Sequence, residues 1–157
     1  MEEKWLHALG AMVNGIYVLT AGNDESSTGM IASWVSQVSH EPPMVMVAVH
    51  PNRYSQQLIK KTGSFALHLL FRKQKHLLSH LKGPEPGKRL ETLEWRPGET
   101  GAPILKGCLA YLECILRDRH EPGNHTLYIG KVVDADLFSA ERPMSTLDYE
   151  GFYVGKE

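Results

Sequence analysis

The chain has 157 residues, with 17 Lys and Arg against 18 Asp and Glu for a formal net charge of -1, and 42% of it is hydrophobic. That balance lacks the basic footprint that phosphate-backbone binding requires, which argues against a nucleic-acid partner. The longest strongly apolar run covers residues 44–49, where a membrane helix needs ~20 residues, so no membrane association is expected. A length near 150 suits one domain, expected here over residues 1–157, whose folding hides ~70% of the surface of the unfolded chain. The opening MEEKWLHALG carries acids where a secretory leader carries positive charge, and the expected location is cytoplasmic.

In chain order, residues 15–20 (GIYVLT), 30–39, 44–49 (MVMVAV), 64–70, 108–116 and 126–137 are rich in β-branched, aromatic and aliphatic residues and are bounded by Gly, Pro, Asn or Asp. These predict six strands. MVMVAV lacks polar alternation, so both its faces should be covered, one by the interior and one by a helix or a second subunit; a homodimer is expected. Residues 53–62 follow Asn52, a candidate N-cap, and stop at Gly63, predicting a helix, as do residues 73–81 with Leu77, Leu78 and Leu81. Residues 83–101, with GPEPG and RPG, read as a surface excursion. Closely spaced strands with few helices give a mainly β fold with helical insertions, a small antiparallel barrel rather than a doubly wound sheet. Cys108 and Cys114 on one extended strand would lie ~20 Å apart, beyond disulfide reach, so both are expected as buried reduced thiols.

Signatures of hydrolases, kinases and Rossmann proteins are missing: no GxxxxGK[ST], no GxGxxG opening a helix, no GxSxG. His76 and His80 are four apart, but no third metal ligand accompanies them and no metal is expected. Residues 28–63 are more informative. Small residues Ala32 and Ser33 on a strand let a flat ligand approach the backbone, and Ser36, Gln37 and Ser39 add polarity. Asn52, Arg53 and Ser55 stand at the expected helix start, where unpaired N–H groups and a guanidinium suit a phosphate. The pattern describes a planar, polar-edged, phosphorylated ligand.

TGMIASWVSQVSHEPPMVMVAV, NRYSQQLIKKTGSFALHLL, TGAPILKGCLAYLECIL and GNHTLYIGKVVDA, in this order, make the chain resemble the flavin reductase-like family of FMN-binding split barrels, over residues 10–155. The branch it resembles most is that of flavoredoxin and the flavin domains accompanying rubredoxin and flavodiiron proteins. The resemblance implies a six-stranded antiparallel Greek-key split barrel with FMN as cofactor and NADH or NADPH as electron donor. It places the flavin ring along Met30, Ile31, Ala32 and Ser33, lines the pocket with Ser36, Gln37, Val38 and Ser39, and puts the phosphate near Asn52, Arg53, Tyr54 and Ser55. Family members that use nicotinamide commonly show Gly-Asp-His where this chain has Gly123-Asn124-His125, so His125 is the candidate catalytic residue beside the nicotinamide. The implied function is NAD(P)H-dependent flavin reduction with onward electron delivery. Two alternatives stand beside it: an electron-transfer flavoprotein with tightly held FMN serving rubredoxin or flavodiiron-type partners, and a non-redox binder of another phosphorylated heterocycle. In the tail, Tyr149, Phe152 and Tyr153 are expected to pack over the partner subunit rather than border the flavin.

Overall fold

A computed structural model describes residues 1–150. After a helix α1 (Glu3–Gly10) come β1 (Tyr17–Gly22), β2 (Ser27–Ala32), β3 (Val35–Ser39), β4 (Met44–Val49), α2 (Tyr54–Thr62), β5 (Ser64–Leu69), α3 (Lys75–His80), β6 (Trp95–Pro97), β7 (Pro103–Leu105), β8 (Ala110–His120) and β9 (Thr126–Leu137). Seven strands form one antiparallel sheet in the order β2-β1-β5-β8-β9-β4-β3, while β6 and β7 pair separately. The sheet curls without closing by hydrogen bonds, because its two edges are β2 and β3. Relative to the six strands expected, the segment 30–39 divides at Ser33 and Trp34. The chain leaves β2 on one edge and joins the other, where the Trp34 carbonyl accepts the Ala48 N–H at 3.0 Å.

Two apolar clusters share this sheet. Leu19, Val45, Val47, Phe65, Leu67 and Tyr128 fill the inside of the curl, closed by Leu58 and Ile59 of α2. On the opposite face, Val18, Ala66 and Leu70 pack under Leu78, Leu81, Leu90, Ile104 and Leu105 of the segment between β5 and β8. The strands covered on both faces are therefore β1 and β5, not β4. In MVMVAV burial alternates, with Val45, Val47 and Val49 buried and Met44, Met46 and Ala48 half-buried.

Helix α2 starts at Tyr54 with Arg53, not Asn52, at the N-cap, and no side chain caps it. The Asn52 N–H is instead held by His50 Nδ1 at 3.3 Å. Its other end conforms to expectation: Gly63 takes the left-handed conformation (φ 70°) and its N–H closes on the Ile59 carbonyl at 2.8 Å. The second expected helix is shorter, a 3₁₀ turn at Arg72–Gln74 running into α3. α1 lacked a sequence signal because none of its residues is buried. The excursion 83–101 is structured, with a 3₁₀ turn at Pro86–Lys88 and β6. Cys108 and Cys114 are both buried and unbridged, and Cys108 precedes β8 rather than lying on it. No described helix is long and apolar enough to cross a membrane.

Glu113 on β8 is buried, and its carboxylate accepts the N–H groups of Glu99 (3.1 Å) and Thr100 (2.7 Å) and the Thr100 hydroxyl (2.6 Å). It pins the turn after β6 to the sheet. Glu113→Gln keeps the volume but removes charge from these three bonds, and we expect a loss of about 1–2 kcal/mol in urea denaturation.

Candidate functional site

The site forms where the end of β2, the β4–α2 turn, the 83–90 segment and the start of β9 meet. Side chains on β2 are committed to packing: Met30 and Ala32 face the inner cluster and Ile31 the outer one. What β2 offers is its outer edge, since it pairs only with β1. Arg89 Nη1 reaches the Gly29 carbonyl from that side at 3.4 Å. By the two-residue repeat of a strand, Ile31 presents its N–H and C=O the same way, while those of Ala32 turn to β1.

The 83–90 segment is strapped over this edge. Thr28 Oγ1 donates to the Pro86 carbonyl (2.7 Å) and Arg89 Nε to the Gly83 carbonyl (3.0 Å). Gly29 is required beneath it, because a Cβ there would stand 2.8 Å from Leu90 and 2.9 Å from Leu81. Arg89 is thereby brought close enough to Arg53, at the head of α2, that burial first and the Arg53 charge second lower its pKa. Neither guanidinium has a carboxylate partner among the described residues. Two like charges held together beside an uncapped helix start form a receptor for an anion.

Other expected residues lie as follows. Tyr54 is half-buried and its ring borders Gly87 of the strap. Ser55 is buried and its hydroxyl donates to Met30 Sδ at 3.0 Å, so in this structure it braces α2 against β2 instead of facing the anion position. Asn52 is exposed. Ser33 is buried at the end of β2. Ser36, Gln37 and Val38 are exposed and Ser39 half-buried along the β3 edge, and their side-chain bonds are local: Ser36 Oγ to the Gln37 carbonyl (3.0 Å) and Gln37 Nε2 to the Ser39 carbonyl (3.1 Å).

His125 immediately precedes β9. Its Nδ1 lies 2.8 Å from Asn124 Oδ1, which makes Nδ1 the protonated nitrogen. Its ring sits 4.6 Å from that of Trp34 and 5.2 Å, edge-on, from that of His50. Arg89, Trp34 and His50 are the residues that sequence reasoning missed. Arg89 had one indirect signal, the length of the excursion that carries it; Trp34 and His50 had none, because strand pairing alone brings them to His125. Tyr149 packs on its own subunit, with Lys75 Nζ 4.8 Å from the ring centroid and its hydroxyl 3.7 Å from Met144 Sδ. Phe152 and Tyr153 lie outside the described residues. Of the two helical histidines, His80 pairs through Nδ1 with Thr92 Oγ1 at 3.0 Å.

Comparison with known proteins places these features in context. Residues 9–155 match the family described as flavin reductase like domain. The reductase subunit HsaB of a flavin-dependent monooxygenase from Mycobacterium tuberculosis is 34% identical over 149 residues, covering 95% of this chain and 79% of that protein. A putative diflavin flavoprotein from Nostoc is 36% identical over 141 residues, 85% of this chain but only 25% of that longer protein. Among solved structures, the NADH:FAD oxidoreductase SgcE6 of Streptomyces globisporus superposes with a TM-score of 0.81 at 30% identity, covering 88% of this chain and 84% of its own.

Proposed function

Because the chain belongs to the flavin reductase-like family, we propose that it is an oxidoreductase that takes hydride from a reduced nicotinamide dinucleotide onto FMN and passes reduced flavin onward. The observation that carries the proposal is the convergence of Arg53 and Arg89, without carboxylate partners among the described residues, beside the outer edge of β2. That cradle fits a flavin phosphate, and the small-residue edge next to it fits a flat ring. Hydride transfer is the chemistry that a bound flavin would supply.

The protein's part is placement. Arg53 and Arg89, with the free N–H groups that open α2, would neutralise the phosphate. Ile31 would meet the ring's polar edge with its backbone, so no side chain on β2 needs to be polar. The rings of Trp34 and His125, tilted 54° to each other, would form one side of the space a nicotinamide enters, and Asn124 fixes the imidazole by accepting from Nδ1. With Asn124 where the family commonly has an acid, the side chain that accepts from His125 Nδ1 is an uncharged amide.

Acceptance of reduced flavin by a partner oxygenase is the expected fate, by analogy with the HsaB subunit. The half-buried outer face of β4 and the exposed Val38 on the neighbouring edge strand support a homodimer as the working unit, located in the cytoplasm. Light scattering should return about twice the subunit mass of 17.6 kDa; a value at 17.6 kDa at micromolar concentration would count against the dimer.

The diflavin relative favours a second reading, an FMN module that relays electrons to a rubredoxin or flavodiiron-type partner without nicotinamide turnover. Anaerobic addition of NADH, and separately NADPH, to the flavin-loaded protein distinguishes the two. Rapid bleaching of the flavin band supports the reductase, whereas persistent colour with both nucleotides supports the relay.

A further inference from the structure

A cavity lies away from this site and shares no residue with it. It has a volume of about 430 Å³ and opens between the end of β5, the β7–β8 turn and the end of β9. Aromatic rings make much of its wall: Phe71, Tyr111 and Phe138, the last two with centroids 6.2 Å apart. Phe138 is 60% exposed, an unusual cost for a residue that merely ends a strand. Ile104 lies behind them.

The charged groups of the lining are Arg96 and Lys106, and no acidic residue belongs to it. Arg96 is not neutralised by a carboxylate. Its Nη2 donates to the Tyr111 hydroxyl at 3.2 Å, and its guanidinium lies 5.6 Å from the Tyr111 ring centroid. The Tyr111 hydroxyl donates in turn to Asp134 Oδ2 at 2.7 Å, and Asp136, the cross-strand partner of Tyr111, accepts the Leu137 N–H at 2.8 Å, so both acids on this stretch of β9 are engaged. Lys106 has no ion pair among the described residues. An apolar, ring-lined recess of small-molecule size with two cations at its rim selects a ligand with an aromatic body and an anionic head.

We propose that this cavity is a binding site for a small aromatic carboxylate, separate from the flavin site. Phe71, Tyr111 and Phe138 would enclose the ring, and Lys106 with Arg96 would hold the carboxylate.

Phenylacetate titrated calorimetrically into the flavin-loaded protein tests it, with 2-phenylethanol as the uncharged match. Saturable binding of phenylacetate is expected, with 2-phenylethanol at least about tenfold weaker, equivalent to ~1.4 kcal/mol. Lys106→Gln and Phe138→Ser, both at the rim, should each weaken phenylacetate by a similar factor while leaving flavin affinity unchanged. Absence of saturable binding at millimolar phenylacetate overturns the proposal. So does competition by excess free FMN, which would place the carboxylate in the flavin site, and so does equal binding by both variants. If phenylacetate does not bind and the same two substitutions halve the mass seen by light scattering, the groove belongs to a second copy of the chain instead.

Discussion

Removing Arg53 and Arg89 together lowers flavin affinity by about 10²–10⁴-fold, since each supplies a charge-assisted bond of ~1.5–3 kcal/mol to one phosphate. Arg53→Ala alone should lose about 10- to 10²-fold. Fluorescence titration of free flavin measures both, and the losses should shrink as salt rises, because the attraction is electrostatic. The stability readout separates a binding role from a structural one. Arg53 has no carboxylate to release and crowds Arg89, so Arg53→Ala should leave the urea midpoint nearly unchanged, within about 0.5 kcal/mol. Unchanged flavin affinity in the double variant would reject the phosphate role of the pair.

A comparably large effect is expected at His68, far from any ligand. This imidazole is fully buried between the two clusters, where Nδ1 donates to the Val18 carbonyl (3.1 Å) and Nε2 accepts the Leu105 N–H (3.0 Å). Both bonds are satisfied only by the neutral ring protonated on Nδ1. Burial lowers its pKa from 6.5 to about 4, against the opposing pull of the Val18 carbonyl. The folded form therefore binds its proton less readily than the unfolded chain. Its contribution is intact above pH 6.5 and is lost as pH falls from 6.5 towards 4, reaching about 2 kcal/mol of lost stability by pH 5. That is a large share of the ~5–15 kcal/mol that holds a domain together. Replacing His68 by Leu leaves the Leu105 N–H buried without a partner and should destabilise by about 2–5 kcal/mol at pH 7. It should also flatten the slope of stability between pH 7 and 5. Denaturation of both proteins at the two pH values is the measurement, and an unaltered slope in the variant would assign the acid sensitivity elsewhere.

Where sequence and structure agree, the reason is local. The strand at 126–137 was legible to the residue because β-branched, aromatic and aliphatic residues predominate in it after the turn residues Gly123 and Asn124. Gly63 was legible as a helix end because its left-handed conformation follows from glycine itself. Arg53, one cation of the proposed phosphate site, was legible in the sequence, but not the cap: Asn52 is a good N-cap by composition, yet its N–H is drawn into the turn by His50. Two-sided cover within the chain falls on β1 and β5, which MVMVAV does not reveal, while the outer face of β4 is half-buried in the single chain. What lies over a strand is decided by distant chain, here the segment between β5 and β8.

Composition and residue order alone determined that this chain makes an antiparallel, mainly β structure with short helices, and they point to residues 30–55 for the proposed ligand site. Those conclusions need only the steric preferences of each residue and its immediate neighbours. Only the tertiary structure decided that Arg89 joins Arg53, that Trp34 and His50 surround His125, that Ser55 serves packing, and that a cavity opens beside Tyr111. Each of these depends on which strands become sheet neighbours and which loop folds over an edge, and such pairings across tens of residues leave no periodic trace in the sequence they connect.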